Sequence, residues 1–234
     1  MPPVPWHKSR RSETRQPLTV AAIVEAGIRI LDAEGLDGVS MRRVAQELGT
    51  GPASLYAHVS GKDELLELML DRIAAEIRLP AEPDPSRWKE QLKEFCRECH
   101  RVYTSHRDIS FVSLANVPTG PNQLRIAEFL LDLLVGAGIP EQVAAWSIDR
   151  LVLMLDADAF ESSIFQAKEQ QGRDIYEWHK RLIGYFTSLP PERFPRITSM
   201  VDFLTQGDGQ ERFEFGMEVF LRGLESFIAP PEDR

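Results

Sequence analysis

"LGTGPASLYAHVSGK", residues 48–62, is the stretch on which the reading of this chain turns. Two glycines and a proline open it, and a glycine and a lysine close it. The helical piece between them, Pro52 to His58, is too short to bury much surface or to stand alone. Before it lies "VSMRRVAQELG" (39–49), in which Ser40 is a suitable N-cap. Met41, Val44, Ala45 and Leu48 share one helical face there, and Gly49 is a fitting terminator. Two short helices joined by "GTG" make a helix-turn-helix. In that motif the first helix crosses the phosphate backbone, and the second offers its N-terminal residues to base edges in the major groove. So small a helix then has a purpose: it projects while its neighbours bury it. Leu55 and Val59 face inward. Thr50, Gly51, Pro52, Ala53, Ser54 and Ala57 lie on or near the outward side, where small residues permit close approach of the backbone. Tyr56, His58 and Lys62 are placed to reach phosphate oxygens, and Arg42 to reach a phosphate or a guanine edge. Periodicity alone does not separate this arrangement from a helical hairpin buried within an all-α protein.

On both sides the pattern is helical. "LTVAAIVEAGIRILDAEG" (18–35) places Ile23, Ala26, Gly27, Ile30 and Leu31 on one face, with Thr19 as N-cap and Gly35 as terminator. "KDELLELMLDRIAAEIR" (62–78) predicts a longer helix whose buried stripe is Leu66, Met69, Leu70, Ile73 and Ile77. "LPAEPDPS" (79–86) holds three prolines and is the clearest boundary in the chain. Helical periodicity resumes at about 87–106, 108–115, 120–137, 140–168, 173–188 and 209–228, with breaks at "TSLPPERFP" and "LTQGDGQE". The expected fold is all-α: residues 1–17 a basic flexible arm, 18–78 a helix-turn-helix DNA-binding domain, and 79–234 a larger helical domain.

The chain has 234 residues and a formal net charge of −9, which taken alone argues against a nucleic-acid binder. The charge is uneven. Residues 1–62 hold eight Lys and Arg against six Asp and Glu, a balance of +2, so the remainder carries −11. Such asymmetry fits a nucleic-acid-binding segment attached to something else. The N-terminus lacks the apolar run that export requires, and no stretch is long enough to span a membrane. With only Cys96 and Cys99 there is no disulfide framework, and a reducing cytoplasm is the expected location.

The residues around the motif carry a resemblance. The pattern "G…S-M-R-R-V-A-x-E-L-G…L-Y-x-H-V…K-D-E-L-L" resembles the DNA-binding domain of the tetracycline-repressor (TetR) family of transcriptional regulators. "W…TSHRD" at 88–108, "GPN" at 120–122 and "GDGQERFEFGMEVFLRGLE" at 207–225 look like the effector-binding domain of the tetracycline-repressor branch. The resemblance implies a homodimer that binds a palindromic double-stranded operator, acts as a repressor and is released by a small molecule. By matching position it puts DNA contacts on Arg42, Thr50, Gly51, Pro52, Ser54, Tyr56, His58 and Lys62, and effector contacts on Phe95, Cys99, Ser113, Asn116 and Phe129. Ser113 stands where that repressor has the histidine that ligates the drug's magnesium, and Phe95 and Phe129 replace polar drug contacts. A lipophilic or aromatic effector without a metal is therefore expected, to which Tyr103, Trp146, Met154 and Trp178 are possible additions. The long helices at 140–168 and 209–228 are implied to pair with their copies, with Val143, Trp146, Leu151, Leu155, Phe213, Met217, Phe220, Leu221 and Leu224 as candidates for the surplus apolar surface.

Two other motifs invite a chemical reading. "CRECH" (96–100) matches the C-x-x-C-H of haem attachment, which needs an exported chain. On a helix Cys96, Cys99 and His100 would offer three metal ligands where zinc usually takes four. The expectation is that Cys99 lines core or pocket and His100 points outward, with no cofactor. Asp156 and Asp158 face different directions on a helix, so a shared acid–base site is not expected; Asp156 is read as a buried partner for an arginine or a ligand, and no enzyme is expected. His106 is read as a structural residue at a helix end. The competing class is an all-α ligand, redox or metal sensor that no longer binds DNA. Arg42, Tyr56, His58 and Lys62 favour the regulator.

Overall fold

A computed structural model describes residues 17–229, apart from 115, 171 and 173. The expected arm falls almost wholly outside the described residues. Those described form helices and no strand.

Helix α1 (Val20–Glu34) starts where Thr19 Oγ1 accepts the Ala22 N–H at 3.1 Å, one of the donors a helix start leaves free. It buries the face read from its periodicity, Ile23, Ala26, Gly27, Ile30 and Leu31. Helix α2 (Met41–Glu47) is capped in the same way by Ser40, whose Oγ accepts the Arg43 N–H at 3.2 Å. The turn after it needs Gly49 in the left-handed region (φ 61°), which leaves the Thr50 N–H to close on Ala45 O at 2.9 Å. Helix α3 (Pro52–Leu55) has proline in its first turn, where no N–H is missed. It is shorter than expected, and Tyr56 to His58 continue it only as turns.

Helix α4 (Lys62–Ala74) crosses α1 closely. A Cβ at Gly27 would lie 2.6 Å from the Met69 sulfur and 3.6 Å from Leu65, so only glycine permits the approach. That contact decides the buried stripe of α4. Leu65, Met69, Leu70 and Ile73 are buried, whereas Leu66, placed in the stripe by periodicity, is half-buried. The regular helix also ends at Ala74 rather than near 78.

The larger unit comprises α5 (Trp88–Ser105), α6 (Ile109–Ser113), α7 (Pro121–Gly136), α8 (Glu141–Gln170), α9 (Ile175–Thr187), α10 (Pro195–Ser199), α11 (Val201–Thr205) and α12 (Gly209–Glu225). The one-turn helices α10 and α11 lie between two breaks, and a single turn is too short to show a period. Helix α12 begins with a capping box between Asp208 and Glu211. It packs Phe213, Met217, Leu221 and Leu224 inward and is tied to α5 by Lys93–Glu218 (3.0 Å) and Arg97–Glu214 (2.7 Å).

These placements correct the expected surplus of apolar surface. Leu151, Leu155, Phe213, Met217, Leu221 and Leu224 belong to the monomer's own core, because α5, α8 and α12 pack on one another. Of the expected candidates Trp146 on α8 does stand in solvent (70% exposed), and on α12 the exposed apolar side chains are instead Phe215 (70%) and Val219 (55%) on its far face.

Candidate functional site

Two surfaces carry chemistry. The first is the outer side of α2 and α3. Leu55 and Val59 are buried and anchor it. Arg42, Gly51, Pro52, Ser54, Tyr56, His58 and Lys62 are exposed, and Thr50 is half-buried. Two neighbouring arginines divide the work. Arg43 is bound to Glu34 (2.7 Å) and Glu47 (3.0 Å), which fixes α2 against the end of α1. Arg42, a quarter turn away, is exposed. Lys62 starts α4 with its Nζ 3.4 Å from Leu36 O, a weak contact that leaves the ammonium in solvent.

The second is a cavity of about 330 Å³ enclosed by α4 to α8. Its floor is buried: Phe95, Cys99 and Tyr103 from α5, Ser113 from α6, Leu155 and Asp156 from α8. Towards solvent it is lined by Asn116, Pro118, Ala145 and Asp149, and its α7 wall is Gln123, Ile126, Ala127, Leu130 and Leu131. Of the five expected effector contacts, four therefore meet: Phe95, Cys99, Ser113 and Asn116. Phe129 does not line the cavity. It is buried on α7, but one residue from Leu130 means about 100° round the helix, and Leu130 holds the cavity side. Tyr103 joins the lining. Trp146, Met154 and Trp178 do not, and Trp146 and Trp178 stand in solvent.

Among the described residues lining the cavity, the polar groups of the floor have no basic neighbour. Both Asp156 carboxylate oxygens are buried without a hydrogen-bond partner. Burial pushes the Asp156 carboxyl up to about 7, and the adjacent Ser113 hydroxyl offsets part of this without closing a bond of acceptable geometry. Burial likewise raises the Cys99 thiol well above its ordinary range, with Asp156 adding to the effect, and raises the Tyr103 phenol. Cys96 faces the other way, into the α5–α8–α12 core beside Leu151 and Met217, and burial pushes its thiol up to about 12. Neither cysteine has the lowered pKa of a reactive thiolate. His100 corrects one expectation: rather than pointing outward it is half-buried, its ring 4.6 Å from that of Phe213, and burial lowers its pKa. Among the described residues no group of three or more His, Cys, Asp or Glu is placed to hold a metal ion, and no helix is long and apolar enough to cross a membrane.

Helix α4 belongs to both surfaces. Its end and the turn after it line the cavity through Ala74 and Ile77. Arg78, which follows, is exposed. From the last turn of α4, Asp71 reaches across to α7, where its carboxylate accepts the Asn122 N–H (2.9 Å), the Gln123 N–H (3.1 Å) and the Asn122 side-chain amide (2.9 Å). A carboxylate at a helix N-terminus is favoured by the free N–H groups and the helix dipole. Arg125 adds a bond to Ile77 O at 3.1 Å. His106 ends α5 as expected and joins Asp32 of α1 (3.1 Å) to Glu76 (3.3 Å). The role of Asp71 was not legible, since nothing in "LMLDRI" distinguishes an acid that caps a distant helix from one in solvent.

The chain matches known proteins along most of its length. A family described as "Bacterial regulatory proteins, tetR family" matches residues 23–69, and "Tetracyclin repressor-like, C-terminal domain" matches residues 79–228. The HTH-type transcriptional repressor DrrR1 of Streptomyces coeruleorubidus is 34% identical, over 96% of this chain and 84% of its own. The TetR family protein ActR of Streptomyces coelicolor, solved with (S)-DNPA, is 41% identical with a TM-score of 0.81, over 91% of this chain and all of its own. ActR in complex with actinorhodin is 43% identical with a TM-score of 0.82, over 90% of this chain and 97% of that one.

Proposed function

Since this chain belongs to the tetR family of bacterial regulatory proteins, we propose that it is a transcriptional repressor whose operator affinity is set by a small molecule held in the α4–α8 cavity. Residues 18–78 bind DNA and 79–234 bind the effector and a second copy of the chain. Arg42, Tyr56, His58 and Lys62 hold phosphates or a guanine edge, and Thr50 to Ser54 face the bases. Pro52, Ala53 and Ala57 make no bidentate base bond but can pack on a thymine methyl. Phe95, Cys99, Ser113 and Asn116 contact the effector. The homodimer forms through the solvent-facing sides of α8 and α12, with Trp146, Phe215 and Val219 at its centre. That ActR binds small molecules supports the cavity's role.

One observation carries the reading: α4 follows the recognition element directly, lines the cavity at its other end and holds α7 through Asp71. An operator offers two half-sites one helical turn apart, about 34–36 Å, which both recognition helices must meet together. An effector that tilts α4 alters that spacing. It acts to the extent that it binds the DNA-competent and incompetent forms with different affinity.

The test is binding to DNA flanking the chain's own gene across a salt series. Specific, steeply salt-dependent binding by a dimer is expected. Binding that is absent, or indifferent to salt, overturns the reading. For the assembly, Val219→Glu is expected to sediment as a folded monomer where the wild type is a dimer. A Val219→Glu protein that remains dimeric removes α12 from the interface.

A further inference from the structure

The cavity is mostly apolar, and one polar group on its floor is left unsatisfied by its own chain. Asp156 is fully buried, and neither carboxylate oxygen has a hydrogen-bond partner, although a buried carboxylate without one is costly enough that native structures rarely keep it. It sits on the floor, where Cys99, Tyr103 and Ser113 converge. Among the described residues no lysine, arginine or histidine lines the cavity, and the second acid, Asp149, stands at its exposed end. The charged side chains of the lining are thus both acidic. Phe95, Leu130 and Leu155 supply the apolar walls that an aromatic ring system would pack against.

We propose that Asp156 is the polar recognition group of this cavity and that the effector class it selects is an aromatic ring system bearing a protonated amine. This rests on the reading of the cavity as an effector site. The amine donates to the two free oxygens and supplies the counter-charge that the protein withholds. An anionic ligand of the same shape meets a carboxylate with no basic residue to neutralise either of them. A neutral hydroxyl can donate a single hydrogen bond but leaves the charge unpaired. Charge-assisted hydrogen bonds of the first kind are roughly twice as strong as neutral ones.

The test uses three probes that share one ring system and differ in charge: 9-(aminomethyl)anthracene, 9-anthracenemethanol and 9-anthracenecarboxylic acid. Their affinities are measured by fluorescence titration near pH 7.5 against the wild-type protein and Asp156→Asn. The expected order is amine, alcohol, acid, with the amine at least about tenfold tighter than the acid. In Asp156→Asn the amine weakens about tenfold and the alcohol changes little. An acid or alcohol that binds as tightly as the amine overturns the proposal, as does an order that survives in Asp156→Asn, or a wild-type protein that binds none of the three. The wild-type order decides the matter by itself if Asp156→Asn fails to fold. Salt-dependent DNA binding by the same wild-type preparation, without any probe, tests the regulator reading separately, so the two can fail independently.

Discussion

The helix-turn-helix and the cavity hold their working side chains in opposite ways. At α2 and α3 the candidate DNA contacts stand mostly in solvent, and each is placed by signals a few residues away: Ser40 as cap, Gly49 at the turn, Pro52 at the start of α3. At the cavity they are mostly buried and converge from five helices and the loops between them, with Phe95 and Asp156 sixty-one residues apart. A surface built locally tolerates truncation of its contacts with little loss of stability. A site built from distant buried groups does not.

The largest effect is expected at the one place where the local surface depends on burial. Leu55→Ala removes the anchor of a four-residue helix that has little else to hold it. A loss of about 2–5 kcal/mol in stability is expected, with operator binding abolished. Denaturant unfolding and anisotropy check it. Unchanged DNA affinity would show that α3 is held by something other than this contact.

Asp156 gives the second effect, and its sign follows from a pKa raised from 3.8 to about 7. Below about pH 4 the carboxyl is protonated in the folded and the unfolded chain, and burial carries no charge penalty. Between those values the folded protein keeps a proton that the unfolded chain has lost, so stability falls as pH rises. Above about 7 the penalty is complete, at most about 4 kcal/mol. Asp156→Asn is therefore expected to gain on the wild type as pH rises from about 4 to 8 in urea melts. A stability difference that is flat with pH would mean the carboxylate is already paired.

How much was legible follows from the same contrast. Thr19, Ser40, Gly49 and Pro52 mark the helix ends near 19–52 through chemistry with their neighbours, so the helix-turn-helix could be read from the chain. Leu65 could not be told from Leu66, because both fit the period and the choice is made by Gly27 of α1. Phe129 matched a position in the resembling branch but turns away from the cavity by one helical step. The inward face of α12 was mistaken for its surplus, since Phe213 and Phe215 look alike until α5 and α8 cover one of them. Cys99 and Ser113 met in the cavity as expected, but the absence of a base among the described residues that line it beside Asp156 is a property of five helices together.

A third prediction addresses the link between the regions. Asp71→Ala removes the acceptor at the start of α7, at a cost of about 1 kcal/mol, and is expected to leave cavity ligands bound with little change in affinity while reducing their effect on DNA. Comparing operator release by a saturating ligand in the two proteins checks this. Full release in Asp71→Ala would move the coupling elsewhere, towards Arg125 or His106. The smallest effect is at Lys62. Lys62→Ala should weaken binding to all sequences alike and reduce the slope of log K against log salt by about 1 for each site. A loss confined to one operator sequence would make it a base contact.

The coupling itself is the central claim, and it has a direct measure. For any compound that raises the melting temperature of the wild type but not of Ser113→Phe, in which the cavity floor is filled, affinity is measured for the free dimer and for the dimer saturated with operator. Linkage requires that the factor by which the ligand weakens operator binding equals the factor by which operator weakens ligand binding. A weaker affinity on DNA, matched in size to the release, is the predicted result. Equal affinities with and without operator would contradict the account.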